Sequence, residues 1–168
     1  MTRLGARLLW LTLTVSTIGC DQVTKQIAAD NLADGVRRSF WHDTVRLQYT
    51  ENTGAFLGLG SRLPAAIRTP VLVSATVILL LGVILALRAQ RMVLAYRVGL
   101  YLILAAGLSN LWDRLERGRV IDFLNVGIGP LRTGIFNVAD MALMLGVALV
   151  LLTRRSDGGD APVSVPAP

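Results

Sequence analysis

Long apolar runs separated by short polar ones set the plan of this chain. Leu8 to about Ala29, Pro64 to Leu87, Met92 to about Leu111 and Asn137 to about Leu152 each come near the roughly 20 residues a helix needs to cross the hydrocarbon core of a bilayer. Only Asp30 to Gly60 is both long and polar, and inside it the period changes. Val45, Leu47 and Tyr49 alternate with Thr44, Arg46, Gln48 and Thr50, which is the pattern of a half-buried strand. The prediction is an all-α polytopic membrane protein: four transmembrane helices with a small extracytoplasmic β-rich cradle between the first and second spans. Residues 1–155 form a single membrane-embedded domain. Residues 156–168, rich in Gly, Pro and Asp, are expected to be a disordered cytoplasmic tail.

Composition narrows the class. A hydrophobic content of 53% and a mean hydropathy of +0.56 are too apolar for an ordinary soluble domain. The net charge of +6 would suggest nucleic acid in a soluble protein. Here the arginines flank apolar runs, so lipid headgroups are the expected partner and nucleic acid is not. Arg88, Arg91 and Arg97 occupy a short connection with no acid among them, and Arg3, Arg7, Arg154 and Arg155 lie near the ends. Short basic connections stay inside, so both termini are expected in the cytoplasm and the polar stretches outside.

The inventory of reactive residues is small. One cysteine, Cys20, and one histidine, His42, leave no intrachain disulfide and no Cys/His zinc site. No nucleophile motif stands near His42 for a serine triad. No metal or cofactor is expected. Cys20 follows an apolar run, as a lipid-modified cysteine would, but Thr17 stands where such a site wants an aliphatic residue. The first helix is therefore expected to be retained. Carboxylates are the chemistry that remains.

Two of them stand near the ends of Arg119 to Asp140, with a Gly/Pro-punctuated loop expected between them. Asp122 lies in VIDF and Asp140 in FNVAD, each among apolar residues beside a predicted span, where an ionisable group is costly and marks a functional site. Two carboxyls brought together share a proton and can act as acid and base. Asn137 also reads as a helix N-cap, with Asp140 reaching back to it. Asp21 and Lys25 are four residues apart, and spacing alone favours an exposed helix-end ion pair. Glu51 to Gly60 reads first as a turn, though the Asn52 amide suits gripping a peptide backbone and Gly54 permits close approach. Asn110, Asp113 and Arg114 share one helical face, from which the arginine could clamp a carboxylate or a carbonyl. Trp41 and Trp112 suit an interfacial aromatic belt. In the four-span arrangement all these polar clusters fall at the outer surface.

In that order, DQVTK, ENTGAF, NLWDR, VIDF and FNVAD resemble the bacterial signal peptidase II family, the lipoprotein signal peptidases, across the chain apart from its C-terminal tail. The resemblance implies an aspartic endopeptidase of the bacterial cytoplasmic (inner) membrane, with its active site near the outer face. It would remove the signal peptide of prolipoproteins just before a diacylglyceryl-modified cysteine. The catalytic pair would fall on Asp122 and Asp140. Supporting or substrate-contacting positions would fall on Asp21, Lys25, Asn52, Gly54, Asn110, Arg114, Asn137 and Ala139. A globomycin-type inhibitor would bind at the same place, and the protein is expected to be monomeric. One departure is Ser109, where the family usually has glycine. The rival reading, a non-enzymatic transporter subunit or scaffold, expects acids midway along the spans rather than at their ends.

Overall fold

Each apolar run becomes a helix, and the polar segments between them assemble a sheet. The computed structural model describes residues 2–55, 60, 62–88 and 92–156. In chain order these form α1 (Arg3–Leu32), β1 (Arg38–Phe40), β2 (Val45–Asn52), α2 (Ala65–Leu87), α3 (Leu94–Arg117), β3 (Val120–Ile128), β4 (Leu131–Arg132) and α4 (Val138–Ser156). Local chemistry sets the ends. The Thr2 hydroxyl caps α1 by accepting from the Gly5 N–H, one of the donors a helix start leaves unpaired. α3 stops at Gly118, whose φ of 68° takes the left-handed conformation that glycine tolerates.

α3 is the centre of the bundle and packs on each of the other three helices. Val83 of α2 and Leu100 and Ile103 of α3 form a buried cluster, joined by Leu143 and Val150 of α4. α3 and α4 approach through glycines. A Cβ added to either Gly99 or Gly146 would lie 2.7 Å from the other's carbonyl oxygen. On the other side Trp10 of α1 stacks on Tyr101, with ring centroids 4.8 Å apart. α2 fully buries only Leu80 and Val83, packs Ala86 and Leu87 partly against the same cluster, and turns most of its remaining apolar surface outward. α2 and α3 are long and apolar enough to cross a bilayer, whereas the apolar part of α4, Val138–Thr153, is shorter.

The sheet corrects the predicted architecture. It has four antiparallel strands in the order β1-β2-β3-β4, so the fold is helical with a sheet that does not come from the first connection alone. β3 and β4 arise between α3 and α4, in a stretch the sequence presented as a Gly/Pro-punctuated loop. The reason lies in burial: Val120, Ile121 and Asp122 are consecutive and all buried, so β3 shows no alternation at its start. Gly129, at a φ of 55°, makes the turn into β4. β2 also runs past the alternating stretch to Asn52, with a register shift between Leu47 and Thr50.

Candidate active site

Pairing of β2 with β3 sets Thr50 opposite Asp122 and Asn52 opposite Val120. This carries Asn52 across to the aspartate, where its Nδ2 donates to Asp122 Oδ2 at 2.8 Å. The same side chain folds the following turn. Its Oδ1 accepts from the Gly54 N–H at 2.9 Å, and its Nδ2 also reaches the Ala55 carbonyl at 3.2 Å. The turn expected over Glu51 to Gly60 thus begins only after Asn52, the last residue of β2, and residues 56–59 of it lie outside the described residues.

Asn137 brings in the second carboxylate. Its Nδ2 donates to Asp122 Oδ1 at 2.6 Å. Its Oδ1 accepts from the Asp140 N–H at 2.9 Å, while its own N–H points to Asp140 Oδ2 at 3.4 Å. These last two contacts are the reciprocal cap at the start of α4. Asn110 of α3 adds an Nδ2 donor 3.2 Å from Asp140 Oδ1. Asp122 and Asp140 are both buried and share Asn137 as a neighbour. Arg119, the nearest base in sequence, pairs instead with Glu51 at 3.2 Å.

Beneath this pair lies a buried charge cluster. Lys25 Nζ stands 2.5 Å from Asp21 Oδ2, 2.7 Å from Asp113 Oδ2 and 2.8 Å from Asn110 Oδ1. Lys25, Asp21 and Asp113 are fully buried, which overturns the exposed ion pair that spacing favoured. The i,i+4 contact exists, but α3 covers it, and nothing on α1 announces that. Asp21 Oδ1 also accepts from the Ala139 N–H at 2.8 Å, so the cluster fixes the first turn of α4. Arg114 donates to the carbonyls of Gly54 at 3.1 Å and Asn110 at 3.2 Å. It braces the turn after β2 through a carbonyl.

Hydrogen bonds and the Lys25–Asp21 ion pair thus connect all of the catalytic and supporting residues that the family resemblance implied. They also include residues that sequence did not assign to the site. Ser109 Oγ donates to Asp21 Oδ2 at 2.7 Å and accepts from Gln22 Nε2 at 2.9 Å, and Gln22 reaches Asp113 Oδ1 at 3.2 Å. The departure at Ser109 was the one signal that pointed there. Cys20 is exposed and lies within the continuous helix α1.

Burial pushes the Asp122 carboxyl up to about 6, and the nearby Asp140 charge adds to this; hydrogen bonds from Asn52 and Asn137 and the charge of Lys25 oppose it. A carboxyl so placed can hold or release a proton near neutral pH, as an acid–base group must.

Comparison with known proteins places the chain by family and by fold. The family profile described as signal peptidase (SPase) II matches residues 13–154. The lipoprotein signal peptidase of Desulfitobacterium hafniense (strain DSM 10664 / DCB-2) is 34% identical over 146 residues, covering 86% of this chain and 91% of its own. That of Moorella thermoacetica is 35% identical over 163 residues, covering 91% of this chain and 99% of its own. Among solved structures, a bacterial membrane enzyme determined by the in meso method at 2.3 Å superposes with a TM-score of 0.80 at 26% identity, covering 94% of both chains. On the extent of that profile and these identities, the chain belongs to the signal peptidase II family.

Proposed function

We propose that this protein is a membrane aspartic endopeptidase that removes the signal peptide from prolipoproteins, cutting immediately before the diacylglyceryl-modified cysteine, with Asp122 and Asp140 as its catalytic pair. Family membership supports the peptidase activity and the class of substrate. The observation that carries the catalytic assignment is the sharing of Asn137 between two buried carboxylates.

Two close carboxyls cannot both ionise cheaply, so the resting pair holds one proton. The ionised member takes a proton from water, and the resulting hydroxide oxygen bonds to the scissile carbonyl carbon. The protonated member passes its proton to the carbonyl oxygen, giving a gem-diol. When the C–N bond breaks, the amine leaves with the proton first taken from water, and one gem-diol hydroxyl returns its proton to the other carboxylate, leaving a carboxylic acid product and a singly protonated pair. The pair titrates as a unit, and the roles are assigned to it jointly. Asn52, Asn110 and Asn137 hold the two carboxyls and offer amides to an extended peptide. Arg114 keeps Gly54 and its turn in place, and Asp21, Lys25 and Ala139 set the start of α4. Strand β2 roofs the site.

All four helices span the bacterial inner membrane in this reading, with both termini cytoplasmic and the pair near the outer face. The substrate's lipid tails remain in the bilayer through a lateral opening. Residues 1–155 act as one domain; the expected tail, 156–168, lies almost wholly outside the described residues. The enzyme works as a monomer without cofactor and takes a globomycin-type inhibitor at the same site. The placement of Asp140 in the first turn of α4 and Asp122 on a strand supports this reading over a transporter, whose acids would lie midway along the spans.

The test is cleavage of a lipidated prolipoprotein by purified, reconstituted protein. Wild type should cleave and be blocked by globomycin. Asp122→Asn and Asp140→Asn should each abolish turnover while keeping the folded helical signal. Turnover retained in either variant removes that residue from the pair.

A further inference from the structure

The site occupies one end of the sheet and leaves the other end unused. Because every neighbour in the sheet is antiparallel to the last, the β1–β2 and β3–β4 turns fall at the same edge. They are tied together there: the Gly127 N–H donates to the Thr44 carbonyl at 2.9 Å, and Arg132 Nη1 donates to the Asp43 carbonyl at 2.6 Å. Beside the charged Asp43, Arg46 and Arg132, this edge carries bare apolar side chains. Trp41 is 76% exposed, Ile128 79% and Leu131 83%, with Phe40 beside them at 46%.

Trp41 is also held in place. Trp41, His42 and Asp43 have φ values of 50°, 52° and 66°, a run that non-glycine residues avoid unless their surroundings enforce it. Asp43 enforces it by accepting from Ser39 Oγ at 2.7 Å and pairing with Arg46. A strained turn thus presents a tryptophan outward at the same end of the sheet as Ile128 and Leu131, and exposed apolar groups gathered at one end mark a binding face.

The occupant is indicated by α1. Its outward face changes from apolar to polar across Val23, Ile27, Gln26 and Asp30, all exposed, with Gln26 donating to Asp30 at 2.8 Å. Apolar surface ending in a polar turn marks the level at which hydrocarbon gives way to headgroups. That same turn carries the sheet: Thr24, Ile27 and Ala28 line a groove of about 330 Å³ with Leu47 of β2 and Phe123 of β3. The sheet therefore leaves α1 at the bilayer boundary, and mixed aromatic and aliphatic side chains at its far edge suit that zone.

We propose that the turn edge of the sheet, formed by Trp41, Ile128 and Leu131, is a membrane anchor that dips into the outer leaflet and pins the sheet over the active site. The inference rests on the membrane-enzyme reading above. It is tested by depth measurement in the full chain, reconstituted in vesicles of phosphatidylethanolamine and phosphatidylglycerol. Spin labels are placed singly by Trp41→Cys, Leu131→Cys, Leu79→Cys on α2 and Asp34→Cys in the loop before β1, each on a Cys20→Ser background. Collision rates with oxygen and with a water-soluble nickel chelate should set the labels at 41 and 131 about 5–10 Å into the headgroup–acyl boundary, with 79 deep and 34 in water. Labels at 41 and 131 as open to nickel as 34, with 79 deep, overturn the anchor alone. Spin–spin broadening between copies at 41 or 131 assigns the edge to a second copy and overturns it too. A label at 79 in water overturns the spanning reading together with the anchor.

Discussion

Asn137 caps α4 and holds the aspartate pair in one act. The oxygen that accepts from the Asp140 N–H and the nitrogen that donates to Asp122 belong to the same amide. An aspartate would cap as well but would repel Asp122, and a serine would cap without reaching it. At Asp122 the consequence is a pH dependence of stability. Burial raises this carboxyl from 3.8 to about 6, so between those values the folded protein keeps a proton that the unfolded chain has lost. The contribution of this carboxyl to stability is greatest below about pH 4 and falls as pH rises to about 6, by at most about 3 kcal/mol at about 1.4 kcal/mol per pH unit. Asp122→Asn has no such titration. Unfolding in micelles from pH 4 to 8 should therefore show wild type losing ground to the variant up to about pH 6 and then holding a constant difference. Lys25 gives a second residue-scale prediction. Lys25→Met leaves Asp21 and Asp113 buried without their ammonium, at a cost of about 3–5 kcal/mol. Arg38→Met breaks only the exposed pair with Asp34, 2.9 Å apart, and should cost under about 1 kcal/mol. Thermal unfolding of the two variants side by side checks the contrast.

Among the elements, α3 and α4 matter most to the geometry of the pair, because α4 carries Asp140 and α3 carries Asn110. Their contact depends on Gly99 and Gly146, where an added Cβ would meet backbone oxygen that cannot swing aside. Gly146→Val should force the helices apart, at a cost of about 1–3 kcal/mol for overpacking. A lower unfolding temperature should accompany a lower kcat, since the Asn110–Asp140 hydrogen bond spans that contact. The helices were legible because a run of apolar residues has few other ways to satisfy its backbone. The polar end of α3 was not counted in the span, yet the helix continues to Arg117, since polar side chains end a membrane crossing and not a helix. The loop reading between Asp122 and Asp140 missed most of β3 for a different reason: the strand is buried where it begins, and burial on both faces erases the alternation by which strands are recognised.

For the molecule as a whole, every partner in the site lies between Asp21 and Asp140, and the family profile ends at residue 154. Removing residues 157–168 should therefore leave kcat/KM for a lipidated substrate unchanged within assay error. What the sequence proposed by itself was the helical, membrane-bound class, a chemistry of carboxylates rather than of cysteine or histidine, and the two aspartates as candidates for it. Those follow from hydropathy, from inventory, and from the cost of leaving an acid beside apolar residues, all of which are local. What only the tertiary structure decided was which polar groups meet. Lys25 finds Asp113 on another helix, 88 residues away, and Asp122 is held by Asn52 from 70 residues away. Spacing along one element cannot report such contacts, because they depend on how elements pack, and packing decides whether a charge is left in water or buried against its partner.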